Sequence, residues 1–251
     1  IIKESSSIVA LTGAGVSTAA GIPDFRSPES GLWKDPSKMV LFTAFGFALD
    51  PKGFYELGRQ LLPSFLKAEP TLAHYFLAKL EHQGKLRCVI TQNIDGLHQK
   101  AGSKKVIEMH GNLRTGRCTN CPTEYTLEEM ADKMNQGHEL PPICQDCQSP
   151  IRPNIVLFGE DLPTGAYEEA MENLEDCDLL LVMGSSLVVY PVADMPRVVL
   201  RRHARLIIIN LQPTQYDSSA DVSLHMSLEE ASQRLMEALD IKLYNLQRAM
   251  E

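Results

Sequence analysis

Four cysteines fall in two knuckles, Cys118-x-x-Cys121 and Cys144-x-x-Cys147, with residues 122–143 between them. Thiolates at this spacing match the tetrahedral demand of one Zn(II) ion. A shell filled entirely by protein leaves no position for water, so such a metal would be structural rather than catalytic. Disulfide or redox pairing is the competing use of these residues. The other two, Cys88 and Cys177, adjoin apolar runs and read as small buried hydrophobes.

A second set of residues has the chemistry of a phosphate site. Thr12-Gly13-Ala14-Gly15-Val16-Ser17-Thr18 follows an apolar run, and its glycines let a backbone turn sharply and approach a pyrophosphate at a helix N-terminus. Thr18 replaces the third glycine of the dinucleotide fingerprint, so a tight strand-to-helix turn would by itself explain the stretch. The continuation Ala20-Gly21-Ile22-Pro23-Asp24-Phe25-Arg26 sets an acid, an aromatic ring and a guanidinium in succession, which is more than a turn requires. Gln92-Asn93-Ile94-Asp95, Gly184-Ser185-Ser186 and Asn210-Leu211-Gln212 each follow a further apolar run. Any one of them could be an ordinary turn or cap. Four together predict a nucleotide cleft, because an open parallel sheet presents its ligand site at the carboxyl edges of its strands.

His110 closes the segment 106–110 on the same edge, and imidazole is the side chain best suited to take a proton near neutral pH. A structural histidine is the competing reading. His82, His98, His138, His203 and His225 read as solvated or partly buried structural residues, and His74 as a packing residue in a helix.

These residues need a frame. Short apolar runs at 8–11, 88–91, 155–158, 179–183 and 206–209, with a weaker one at 106–109, are continuous rather than alternating, as in strands buried on both faces of a parallel sheet. Helical patterns lie between them. Asp50-Pro51 predicts an N-cap and first helical residue, Leu72, Phe76 and Leu80 recur before Gly84, and Ser227 with Glu230 forms a capping box ahead of Leu228, Leu235 and Leu239. Strands alternating with helices predict an α/β fold, an open Rossmann-like parallel sheet. Two stretches break the rhythm and are expected to pack together as a smaller inserted domain. The predicted division is 1–26 with 86–112 and 153–251 as the sheet domain, 27–85 as a helical insertion, and 113–152 as a zinc-ribbon insertion.

The chain has 251 residues, a hydrophobic fraction of 44% and a formal net charge of -8, so it is long enough for one or two cored domains and its bulk field repels phosphate backbones and anionic lipid heads. No direct nucleic-acid or membrane partner is expected. No apolar run approaches the roughly 18 residues that span a bilayer, and residues 1–5 lack the order of a signal peptide, so a cytoplasmic location is expected.

Taken together, Gly13-Ala14-Gly15-Val16-Ser17, Gly21-Ile22-Pro23-Asp24-Phe25-Arg26, Thr91-Gln92-Asn93-Ile94-Asp95, His110-Gly111, the cysteine pairs and Gly184-Ser185-Ser186 resemble the sirtuin family of NAD-dependent protein-lysine deacylases, in its compact bacterial or archaeal form. The resemblance spans nearly the whole chain in order. It implies that Gly13, Ala14, Gly15, Ser17 and Thr18 hold the pyrophosphate of NAD, and that Asp24, Phe25 and Arg26 belong to a cofactor loop. Gln92, Asn93, Ile94 and Asp95 would line the nicotinamide and ribose pocket, with Asp95 on the nicotinamide amide. Gly184, Ser185, Ser186, Asn210 and Leu211 would meet phosphate or adenosine ribose, and Ser227 and Leu228 the adenine. Val156, Phe158 and Gly159, with Leu187, Val188 and Val189, would sandwich an acylated-lysine peptide by main-chain pairing. His110 and Asn93 would be catalytic.

The chemistry implied by the resemblance is acyl transfer. The acyl oxygen displaces nicotinamide, His110 deprotonates a ribose hydroxyl that attacks the resulting imidate, and free lysine and O-acyl-ADP-ribose leave. Relatives that prefer succinyl or malonyl lysine carry Tyr-x-x-Arg, whereas Tyr55-Glu56-Leu57-Gly58-Arg59 puts the arginine one position late, a rotation of about 100° on a helix. Acetyl or longer apolar acyl groups are therefore expected. ADP-ribosyl transfer to protein, and a non-catalytic zinc-ribbon module that senses NAD, are the alternatives.

Overall fold

The computed structural model describes residues 1–24, 31, 35–136 and 140–242; Phe25, Arg26 and His138 lie outside them. Six strands, β1 (Ile8–Thr12), β2 (Leu86–Thr91), β3 (Val106–Glu108), β7 (Leu179–Met183), β8 (Arg205–Ile209) and β9 (Val222–Leu224), form one sheet in the order β3-β2-β1-β7-β8-β9. Every pairing in it is parallel. The continuous apolar runs are explained by cover on both faces. Ile8 and Ala10 of β1 pack with Phe76, Leu77 and Leu80 of α4 (Leu72–His82) and Met236 of α9 (Leu228–Ala238). Val9 and Leu11, pointing the other way, pack with Leu174 of α7 (Ala166–Glu175) and with Met195 and Val199 of α8 (Met195–Arg201).

A second, antiparallel sheet is smaller: β4 (Gly111–Cys118), β5 (Glu124–Thr126) and β6 (Ile151–Ile155) in the order β5-β4-β6, followed on β5 by α6 (Leu127–Gln136). The apolar run at 155–158 therefore does not join the parallel sheet. The strand lies upstream, where Ile151, Pro153 and Ile155 are buried and Arg152 and Asn154 partly exposed, the alternation of a half-buried strand. Beyond it, Phe158 makes only an isolated bridge to Thr43. The sixth parallel strand is β9, whose three half-buried residues lack an apolar run.

The helical insertion carries α1 (Pro36–Leu41), α2 (Ala44–Leu49) and α3 (Pro51–Lys67). Asp50 caps α3 as its spacing predicts, accepting the Gly53 amide at 2.8 Å. At α9 the Ser227 hydroxyl accepts the Glu230 amide at 3.2 Å, but the Glu230 carboxylate pairs with Arg234 at 2.6 Å instead of returning to the cap. Phe47, Phe54 and Tyr55 of this insertion pack with Met134, Ile155 and Leu157 near the small sheet, and Phe54 stands edge-on to Phe47 at 5.1 Å. Among the described residues, no helix is long and apolar enough to cross a membrane.

Candidate active site

The strand order turns outward in both directions between β1 and β7, and two loops meet at the carboxyl ends of those strands. The Gly15 amide donates to the Gly184 carbonyl at 2.9 Å. A Cβ on Gly15 would lie 2.7 Å from the Gly184 Cα, and Gly184 itself holds φ +64. These glycines let the two loops seat backbone against backbone, and the groups around their junction form the candidate cofactor cradle. Residues 14–20 continue as a 3-10 helix in which Ser17 is buried and Thr18 exposed.

Polar side chains line that cradle. Ser17 donates its hydroxyl to Asp95 at 2.7 Å and accepts Asn93 Nδ2 at 3.1 Å. Asp95 also accepts the Leu97 amide at 2.9 Å, yet burial outweighs these bonds and raises its carboxyl above the ordinary aspartate range. Gln92 Nε2 donates to Ser185 Oγ at 2.8 Å, which ties the loop after β2 to the loop after β7. Ser186 lies half-buried beside it, and Asp24 is half-buried with a partner.

His110 follows β3, half-buried, with Nδ1 2.9 Å from the Gln92 carbonyl oxygen. A carbonyl can only accept, so in the neutral ring the proton sits on Nδ1 and the basic lone pair on Nε2. The His110 carbonyl accepts the Val156 amide at 2.9 Å, which anchors the 156–159 segment beside the ring.

At the far end of the cleft, Asn210 donates its side-chain amide to the Gln212 carbonyl at 2.7 Å, Leu211 is exposed, and Ser227 and Leu228 start α9. Gly159 and Val188 are exposed, while Leu187 is buried at φ +53 with its carbonyl accepting Gln215 at 2.7 Å. Val156, Phe158 and Val189 are half-buried.

An apolar cavity of about 90 Å³ opens between α3, α6 and the small sheet, lined by Phe54, Tyr55, Gly58, Ile94, Leu113 and Ile155 among others. Tyr55 spends its hydroxyl on the Ile151 carbonyl at 2.6 Å. Arg59 donates to the Met134 carbonyl in α6 and is not among the residues lining the cavity.

The four cysteine sulfurs of the ribbon lie within 4.8 Å of one another, with Cys118 and Cys147 3.3 Å and Cys121 and Cys144 3.6 Å apart. Sulfurs bonded at 2.3 Å to one tetrahedral centre would be about 3.8 Å apart, so the set fits Zn(II). The Tyr125 hydroxyl draws the Cys144 thiol down to about 6, toward the thiolate that ligates.

One expectation is corrected here. His98 is not solvated: it is 1% exposed, with Nε2 2.9 Å from Thr12 Oγ1. His82, His203 and His225 are exposed, and His74 is buried in α4. Thr12 and Thr91, which open two of the motifs, are bonded hydroxyl to hydroxyl at 2.9 Å beneath the site, a partnership the sequence does not announce. A threonine ending a buried apolar run was the available signal.

The fold and site together define a nucleotide-binding α/β protein with an inserted four-cysteine ribbon. Comparison with known proteins narrows this. The profile of the Sir2 family matches residues 13–191. Over 237 residues the chain is 46% identical to the NAD-dependent protein deacetylase of Thermotoga maritima, covering 94% of this chain and 95% of that one. NAD-dependent protein deacetylase 2 of Caldanaerobacter subterraneus is 47% identical, with 94% and 90% covered. A solved Sir2 with deacetylated p53 peptide and 3'-O-acetyl-ADP-ribose has a TM-score of 0.90 at 46% identity, covering 94% of this chain and 95% of that one. A Sir2, p53 peptide and NAD complex has a TM-score of 0.88 at 44% identity, covering 96% of each chain. The chain belongs to the Sir2 family.

Proposed function

We propose that this chain is an NAD-dependent protein-lysine deacetylase that transfers the acetyl group to ADP-ribose and releases nicotinamide, O-acetyl-ADP-ribose and free lysine. The observation that carries the reading is His110, whose Nδ1 proton is committed to the Gln92 carbonyl at the mouth of a cradle built from Gly15, Ser17, Asn93, Asp95 and Gly184. NAD supplies the leaving group and the acceptor ribose when bound. The protein supplies the rest: Asn93 and Asp95 fix the nicotinamide end, Ser185 and Asn210 the phosphate and adenosine end, and His110 Nε2 takes a ribose hydroxyl proton.

The acylated lysine enters from an extended peptide held between 156–159 and 187–189. The Val156 and Phe158 amides already serve the His110 and Phe42 carbonyls, so pairing with the substrate main chain uses other backbone groups of the two segments, the exposed Gly159 and Val188 among them. Solved Sir2 structures hold a p53 peptide and a propionylated peptide, which supports a peptide substrate. The division into 1–26, 86–112 and 153–251 as the NAD-binding domain, with 27–85 and 113–152 inserted, and a cytoplasmic setting, belong to the same reading.

Zn(II) on Cys118, Cys121, Cys144 and Cys147 ties β4 to the 144–147 turn and takes no part in the reaction. The test is acetylated peptide with NAD, followed by mass spectrometry. Equimolar deacetylated peptide, nicotinamide and O-acetyl-ADP-ribose are expected, whereas ADP-ribose attached to protein would replace this reading with a transferase.

A further inference from the structure

Two histidines lie beneath the cofactor cradle and touch none of it. His74 in α4 and His98 in α5 (Leu97–Lys100) are 0% and 1% exposed, with ring centroids 4.6 Å apart. Each has one nitrogen without a hydrogen-bond partner among the described residues, Nε2 of His74 and Nδ1 of His98. An orphan buried polar atom costs roughly 1–3 kcal/mol, so two on neighbouring rings need a reason.

The partners they do have fix their protons. The Thr71 amide donates to His74 Nδ1 at 3.1 Å, and the Thr71 hydroxyl, 2.8 Å from that same nitrogen and 2.9 Å from the Val16 carbonyl, divides its one proton between those two acceptors. His74 therefore carries its own proton on Nε2. Thr12 sends its hydroxyl proton to Thr91 Oγ1 at 2.9 Å, so toward His98 it can only accept, at 2.9 Å, and His98 carries its proton on Nε2. The two orphans are then complementary, a donor on His74 and a lone pair on His98.

The chain of bonds does not stop there. Thr91 Oγ1 accepts the Asn93 amide at 3.1 Å, Asn93 Nδ2 donates to Ser17 Oγ at 3.1 Å, and Ser17 follows Val16, where the path began. We propose that His74 and His98 are positioning residues for the deacetylation assigned above: their ring contact at 4.6 Å joins two hydrogen-bonded arms, one through Thr71 to Val16 and one through Thr12 and Thr91 to Asn93 and Ser17, into a circuit that holds Ser17 and Asn93 in register across the cofactor cleft. Burial keeps both rings neutral, drawing His74 down to about 4 and His98 well below its ordinary value. The circuit crosses β1, β2, α4 and α5, so it couples four separate elements to the residues proposed to meet NAD.

The inference rests on the deacetylase reading, and binding separates the two. Wild-type turnover tests the reading, while calorimetric NAD affinity of variants tests the circuit. His98→Phe and Thr12→Val, which break it at adjacent links, are each expected to weaken NAD binding by about five- to tenfold and to lower kcat, with acetyl-peptide affinity within about twofold. His98→Gln, which keeps a donor for Thr12, should recover part of the loss. Folded variants with unchanged NAD affinity and kcat overturn the proposal. Should the phenylalanine variant fail to fold, nitrogen NMR of the wild-type imidazoles decides: both rings as the Nε2–H tautomer uphold the circuit, and an Nδ1–H form in either ring overturns it.

Discussion

The Nδ1 atom of His110 lies 2.9 Å from the carbonyl oxygen of Gln92, the residue that opens the loop bearing Asn93 and Asp95. One backbone acceptor thus sets the tautomer of the base and joins it to the nicotinamide end of the cleft. His110→Ala is expected to keep NAD and acetyl-peptide affinity, since neither depends mainly on a proton acceptor, while turnover falls by about 100- to 10,000-fold. Nicotinamide exchange, the earlier step, should suffer less than release of deacetylated peptide. A folded alanine variant with near-normal turnover would return His110 to a structural role.

The four sulfurs gather around one point at the end of the small sheet, where the described residues offer little other core: Cys118, Tyr125, Met130, Cys144 and Ile151. Metal affinity there is folding free energy. Replacing Cys118 with Ala should release zinc and unfold the ribbon, read by metal analysis and by amide exchange in β4 and β5. A metal-free variant that keeps full protection and activity would contradict this.

Arg59 holds the Met134 carbonyl and Tyr55 the Ile151 carbonyl, so neither group is at hand to receive a carboxylate in the apolar cavity beside Gly58. Desolvating an unpaired carboxylate costs several kcal/mol, and about 1.4 kcal/mol is a factor of ten. Matched acetyl and succinyl peptides should differ in kcat/KM by at least about tenfold, acetyl preferred. Equal efficiency would mean that Arg59 leaves Met134 and reaches the substrate.

Much of this is legible in the sequence. The cysteine spacing, the glycine turn after β1 and the Asp50 cap are local signals, and each forms the local geometry that its spacing predicts. The run at 155–158 was not decodable in the same way, because four apolar residues look alike whether they enter a parallel sheet or trail from an antiparallel strand into an aromatic cluster. β9 is three half-buried residues with no apolar run to announce it. The burial of His98 depends on Thr12, a residue far away in the chain, and the diversion of Arg59 on the end of α6. Partnerships made by folding leave no mark in spacing.

The buried imidazoles predict a pH dependence of stability. An unfolded histidine titrates near 6.5, whereas His74 in the fold is held down to about 4 by burial. Between these values the unfolded chain binds a proton that the folded chain refuses, so stability is full above 6.5 and falls as pH drops toward 4. From pH 7 to pH 5 this single group should remove roughly 2 kcal/mol. Denaturant midpoints at the two pH values should shift less in His74→Phe than in the wild type. Identical shifts would show that His74 does not titrate on unfolding.

The account stands or falls on where the acetyl group goes. Purified protein incubated with NAD and a peptide bearing acetyl-lysine should release one nicotinamide and one O-acetyl-ADP-ribose for each lysine freed, with no release when peptide or NAD is omitted. Free acetate in place of O-acetyl-ADP-ribose, or nicotinamide release that ignores the acetylated peptide, would contradict it.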